Sequence, residues 1–558
     1  MAILKKISAV ILSSSMMLIG SAGSYSSGTA ATSAPDEYHD DWLHVNENAE
    51  IVDMYGNPVW LTGCNWFGYN VGSQVFDGVW SQNMHSMLNQ IADHGFNLLR
   101  VPMSTEILLQ WKNGDPDPAT PKVNEWENPE LTVEGIQGGT IMYSFDIWNK
   151  AVEWCRENGI KIMMDIHSAS TDSAGHNVSL WYNDEFSTED WIEALAWFAD
   201  YYKDDDTILA IDLKNEPHGK ADVPSQMAKW DDTTDPTNWK YAAETAAAAV
   251  LEKNPNLLIM VEGIEVYPKF EEGYDWSSPY LDWSTMTYFY HGAWWGGNFR
   301  GVRDYPIDLG EHQDQLVYSP HDYGPLVYKQ EWFEKDFTTQ TLLDDYWYDS
   351  WAFIGEEKIA PLLIGEWGGK IDEASDTDGK NKRWFLLLRD YMIENRIHHT
   401  FWCFNENSSD TGGLVYDNFG KWDEEKYALV EEALWQDENG KFISLDHTIP
   451  LGQSGNGISL SDYYSGTAAP EASDTTASVS GEETILYGDA NLSGGVEISD
   501  AVKIMTHVTN KEKYPLDENE LICADVYQSG DGVSNMDALS VQKKVAQLLT
   551  ELPESYLE

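Results

Sequence analysis

Eight short apolar runs, spaced along residues 38–455, limit what this 558-residue chain can fold into. They are 59–66, 97–102, 160–167, 208–215, 257–262, 316–321, 361–366 and 399–404. Several are apolar almost without a break, as strands of a parallel sheet buried on both faces must be. Segments of helical composition, such as 191–202 and 239–252, lie between them. Eight strands alternating with helices predict an α/β fold, a (β/α)8 barrel. A doubly wound open sheet would more often carry a Gly-rich phosphate loop after its first strand, and Gly63-Cys64-Asn65 is not one.

Reacting groups of such a barrel sit where the strands end. The second run carries Arg100 and the third ends in Asp165-Ile166-His167. The fourth ends in Asn215-Glu216-Pro217-His218, the fifth in Glu262, the sixth in His321-Asp322-Tyr323. The seventh ends in Glu366-Trp367-Gly368, and the eighth carries Trp402. Carboxylates on separate strand ends suit glycoside hydrolysis, which needs one proton donor and one nucleophile or base. Any proton donor among them must keep its proton near neutral pH and so needs an apolar or anionic setting. Any nucleophile must be charged and so needs donors and a cation, which Arg100 supplies. Glu262, standing alone, is read as a salt bridge or a helix cap.

Composition narrows the partners. Lys plus Arg is 34 against 93 Asp plus Glu, a net charge of −59. That balance argues against nucleic acid and against anionic membrane as partners. The 25 Trp, 29 Tyr and 17 Phe supply a large core and flat surfaces on which sugar rings can stack. Cys64, Cys155, Cys403 and Cys523 form no CxxC pair and read as small buried hydrophobes. Only Cys64 and Cys403 come into consideration for a bridge.

Five motifs, in order, resemble glycoside hydrolase family five. Asn97-Leu98-Leu99-Arg100-Val101-Pro102 is similar to that family's second strand. Asn215-Glu216-Pro217 resembles its acid/base motif, and Ser319-Pro320-His321-Asp322-Tyr323 its His-x-Tyr element. Leu363-Ile364-Gly365-Glu366-Trp367-Gly368 resembles its nucleophile strand. Thr400-Phe401-Trp402, followed by Ser408-Ser409-Asp410-Thr411-Gly412-Gly413, is similar to the end of the barrel in its endo-1,4-β-glucanases. The resemblance implies that Glu216 is general acid and then base, and that Glu366 is the nucleophile of a retaining enzyme. Arg100 and Tyr323 would hold Glu366 ionised, and Asn215 would bind the sugar 2-OH. His321 would tune the two carboxylates, Trp402 would floor the cleft, and His167 would line it. No cofactor is implied for catalysis. The polymer is expected to be a β-1,4-glucan. β-Mannan, xylan or xyloglucan is the alternative, and a non-catalytic glycan-binding subunit is the reading from another class.

The ends of the chain read differently. Lys5 and Lys6, an apolar run over 7–20 and small residues up to Ala31 predict a signal peptide over 1–31 and a secreted protein. The barrel is expected over 38–455 and a linker over 456–484, poor in large apolar residues. Residues 485–558 hold a degenerate repeat. Its first loop sets Asp489, Asn491, Ser493 and Asp500 at calcium-loop positions 1, 3, 5 and 12, with Gly494 at 6. In the second, one residue longer, the ligands are Asp525, Asp531 and Asp537. The module resembles a dockerin, a small all-α unit, which implies bound Ca2+ and a cohesin domain of a scaffoldin as partner in a cellulosome.

Overall fold

The computed structural model describes residues 40–465 and discontinuous stretches between 487 and 553. The expected signal peptide lies outside the described residues. The chain divides into two units, Met1–Ala469 and Pro470–Glu558.

Each of the eight apolar runs overlaps one strand of a parallel barrel. The strands are β1 (Thr62–Asn65), β2 (Leu98–Ser104), β3 (Lys161–Ser168), β4 (Ile208–Asp212), β5 (Leu258–Val261), β6 (Leu316–Tyr318), β7 (Leu363–Trp367) and β8 (His398–Phe401). Their order is β6-β5-β4-β3-β2-β1-β8-β7, and parallel bridges Tyr318↔Leu362 and His321↔Glu366 close the ring between β6 and β7. Every residue of these strands is buried, which is why the runs show no polar alternation.

Helices pack outside: α1 (Met84–Asp93), α2 (Thr105–Asn113), α3 (Ser144–Glu157), α4 (Thr188–Tyr201), α5 (Trp239–Lys253), α6 (339–356), α7 (Lys380–Asn395) and α8 (Glu424–Glu431). Local chemistry fixes where they begin. Ser187 and Asp190 form a reciprocal capping box on α4, and the Asn238 side chain accepts the Tyr241 N–H at the start of α5. Strict alternation fails once. Residues 262–315 between β5 and β6 hold two short antiparallel strand pairs and single-turn helices. The aromatic- and Gly-rich sequence there carries no helical period.

Strand residues alternate between two environments. Leu99, Val101, Met164, Ile166 and Ile211 face the helices. Leu98, Met163, Ala210, Met260 and Val317 face the barrel axis, where Leu61, Trp435, Ile443, Ile458 and Leu460 join them at the strand N-terminal end. The linker expected from 456 therefore starts later. Gly457–Ile458 pairs in parallel with Phe442–Ile443, and α9 (Leu460–Ser465) follows. Ile458 and Leu460 lie in a Ser- and Gly-rich stretch, too few apolar residues to signal a structured segment. Residues 466–484 lie outside the described residues. All four cysteines are buried, and Cys64 and Cys403 are not bridged.

The second unit holds α10 (Ile498–Thr509), α11 (Glu518–Ala524) and α12 (Asn535–Val545). They enclose a small core that includes Ala501, Ile504, Ala524, Val526, Ala538 and Val541.

Candidate active site

Where the axis-facing positions reach the strand C-terminal ends, the apolar layer gives way to charge. Arg100, fully buried on β2, is the hub. Its Nε and Nη2 donate to Asp212 Oδ2 at 3.1 and 2.9 Å, and Nη1 donates to Glu366 Oε1 at 2.9 Å and Asn65 Oδ1 at 3.0 Å. Nη2 also reaches Asn215 Oδ1 at 3.0 Å, Asp165 Oδ2 at 3.2 Å and Glu262 Oε1 at 3.3 Å. The sequence supplies no acidic partner for Arg100 within its own strand, but the barrel brings it four carboxylates. Glu366 therefore shares its cation.

Glu366, 4% exposed, receives a second hydrogen bond from the Tyr323 hydroxyl at 2.6 Å. His321 stands between the two predicted catalytic residues. Its Nδ1 is 3.0 Å from Glu216 Oε1 and 3.6 Å from Glu366 Oε2. Its Nε2 faces Glu262 Oε1 at 3.1 Å. Gly365 makes room for this ring, because a Cβ there would lie 2.9 Å from His321 Nε2. Carboxylate oxygens of Glu216 and Glu366 and a ring nitrogen of His321 all lie within 4.8 Å of one another.

Burial disfavours charge on His321, but Glu262, Glu366 and the hydrogen bond to Glu216 outweigh it, and the imidazolium persists well above the usual histidine range. Burial also raises Glu216, yet the hydrogen bond and charge of His321 prevail and hold it below the usual range. The group that faces Glu216 is thus an imidazole, rather than the apolar or anionic wall expected for a proton donor. Burial drives Glu262 well above the usual range, with His321 and Arg100 only partly opposing. It lifts Asp165 to about 7 and Asp212 to about 6 despite Arg100. His167 is held neutral by burial, and its Nδ1 is 2.7 Å from Asp165 Oδ2.

Glu216, Glu366, Asn215, His167 and Tyr323 line a cleft of about 1360 Å³, and Arg100, Asp165, Asp212, Glu262 and His321 lie buried behind them. Trp402 is half-buried on its wall, with the rings of His167 and Phe67 parallel to it, each at 5.6 Å. Across the cleft Trp295 stacks on His218 at 3.8 Å. All eight residues expected at the site converge here: Arg100, His167, Asn215, Glu216, His321, Tyr323, Glu366 and Trp402. Asn65, Asp165, Asp212 and Glu262, none of them assigned to the site from the sequence, join them. Asp165 and His167 are two apart on one strand, so they share a face, and that signal was readable. Glu262 fits its salt-bridge reading only in part, since it touches three site residues. Asp212, Glu262 and His321 could converge on a cation, but Arg100 already lies against both carboxylates.

The expected calcium ligands are only partly described. Asp489, Asn491, Ser493 and Asp531 lie outside the described residues. Asp500 is buried in the first turn of α10. Asp537 is buried at the start of α12, where Oδ1 accepts the Val526 and Tyr527 N–H groups at 2.8 and 2.7 Å.

A parallel barrel with two facing carboxylates at its strand tops, under an aromatic-walled cleft, is the equipment of a glycoside hydrolase. The family model described as cellulase (glycosyl hydrolase family 5) matches residues 52–408, and the chain belongs to this family. It is an endoglucanase, a glycoside hydrolase. Among its relatives, Endoglucanase G of Acetivibrio thermocellus is 52% identical over 498 residues, 85% of this chain and 86% of that one. Endoglucanase B of the same organism is 41% identical over 90% of this chain and 91% of its own length. A variant of the endocellulase from Pyrococcus horikoshii, solved with cellotetraose, superposes with a TM-score of 0.59 at 31% identity, covering 71% of this chain and 98% of that chain.

Proposed function

We propose that the chain is a secreted endo-β-1,4-glucanase that hydrolyses internal bonds with retention of configuration. Glu366 attacks the anomeric carbon while Glu216 passes a proton to the departing glycosidic oxygen. Water deprotonated by Glu216 then hydrolyses the glycosyl-enzyme. Tyr323 and Arg100 hold Glu366 oriented as a carboxylate, each through one hydrogen bond. Arg100 fixes the oxygen of the Asn215 amide, which leaves its NH2 to meet the sugar 2-OH.

One observation carries this reading. Oxygens of Glu216 and Glu366 approach within 4.8 Å. Retaining pairs stand roughly 5–5.5 Å apart, whereas inverting pairs need about 6.5–9.5 Å for an intervening water. Proton NMR of the first product from a cello-oligosaccharide tests it. The β-anomer should appear first, and an α-anomer first would overturn retention.

The same proposal extends to the chain ends: an export signal over 1–31 and a dockerin over 485–558 that binds Ca2+ and docks on a cohesin. The spacing from Asp489 to Asp500 supports it, as does the helix that follows each expected loop. Rates on β-1,4-glucan, mannan, xylan and xyloglucan test the choice of polymer.

A further inference from the structure

Glu216 is unusual before any chemistry begins. Its φ is +50°, in the left-handed region that non-glycine residues seldom occupy. Such a conformation persists only where the surroundings enforce it. The enforcing contact is specific: the Glu216 N–H donates to Glu262 Oε2 at 2.7 Å. The other oxygen, Oε1, faces His321 Nε2 at 3.1 Å and Arg100 Nη2 at 3.3 Å.

Glu262 is itself tightly held. It is fully buried directly after β5, and its carbonyl accepts the Trp239 indole N–H of α5 at 2.7 Å. The loop at Gly296 covers it. Gly296 has φ +69°, and a Cβ there would lie 2.2 Å from Glu262 Oε2.

We propose that Glu262 is the positioning residue of this site: one oxygen fixes the Glu216 peptide, and the other, which meets only donors, holds the His321 ring and the Arg100 guanidinium in place. It touches no substrate. It acts through Glu216, His321 and Arg100, and so rests on the reading of Glu216 as acid/base.

The charged surroundings of His321 are known on every side. Arg100 comes from β2, Asp165 and His167 from β3, Asp212, Lys214 and Glu216 from β4 and the residues after it, and Glu366 from β7. Glu262 is the carboxylate that faces Nε2. All three partners are donors, so Glu262 binds them as a carboxylate against the pull of burial, and a neutral amide in its place makes the protons on His321 and Glu216 easier to lose. A carboxylate this close shifts a neighbour by about 1–3 units. The alkaline limb of kcat/KM, where the acid's proton is lost, therefore moves to lower pH.

Two variants separate the two oxygens. Glu262→Gln keeps an acceptor for the Glu216 N–H and loses the charge, so the alkaline limb should fall by about 1 unit or more. Glu262→Asp keeps the charge and loses reach. Its limb should stay near that of the parent while kcat drops on the order of 100-fold, as displacement by about 1 Å can cost. A plain structural salt bridge would lower Tm in both variants and leave both limbs in place; that result overturns the proposal. Nitrogen-15 NMR of His321 in the unaltered protein needs no variant to fold. Two ring N–H groups should persist through pH 7, and a neutral ring at pH 6 would contradict the assignment. If Glu216→Gln alone fails to behave as an acid variant, the acid/base reading falls. If it behaves so while Glu262→Gln keeps the parental limb, only the present proposal falls.

Discussion

Glu216 and Glu366 sit within 4.8 Å of each other but in unlike settings. Glu366 is pinned by hydrogen bonds from a guanidinium and a phenol. Glu216 faces the cleft with its side chain 13% exposed and has His321 at 3.0 Å as proton partner. This asymmetry predicts different responses to amide substitution. Glu366→Gln removes the nucleophile, so turnover should be lost on every substrate. Glu216→Gln should lose roughly 10²–10⁴-fold on glucan. It should lose far less on aryl glycosides whose leaving groups need little protonation. A series of leaving groups of graded pKa checks this. Equal slopes for the two variants would contradict the assignment.

At the scale of elements, the sequence revealed the strands better than their connections. A fully buried strand writes its apolar run locally, so all eight were readable. A polar residue at the end of such a run marks the site, and Arg100, Glu216, His321 and Glu366 were found that way. Partners across the barrel were not. Asp212 lies inside an apolar run and Asn65 ends another, and nothing local says that both meet Arg100 at 3.1 Å or closer. Glu262 looked isolated because its neighbours stand 46 and 59 positions along the chain, at Glu216 and His321. The 262–315 connection and the 456–465 segment escaped for a different reason. Each is held by packing on the barrel rather than by a period of its own.

For the whole molecule, the two units are expected to respond to different ligands. The barrel's carboxylates are held from within by Arg100 and His321, and the proposed chemistry uses no metal. The C-terminal unit has a small core, and its expected ligand positions are acidic, so its stability should depend on a divalent cation. EDTA should melt 485–558 and abolish cohesin binding, while hydrolysis of soluble glucan persists. Calorimetry of the full chain with Ca2+ would show the gain. Loss of glucanase activity on chelation would contradict this division.

The most direct test of the central claim is to trap the intermediate on the protein. A 2-deoxy-2-fluoro cellobioside with a good leaving group should load the nucleophile faster than water unloads it, because the fluorine slows both steps and the leaving group restores only the first. Peptide mass spectrometry should then find one glycosyl group, esterified to Glu366. An adduct on Glu216 or Glu262, or an active enzyme that forms none, would contradict the account.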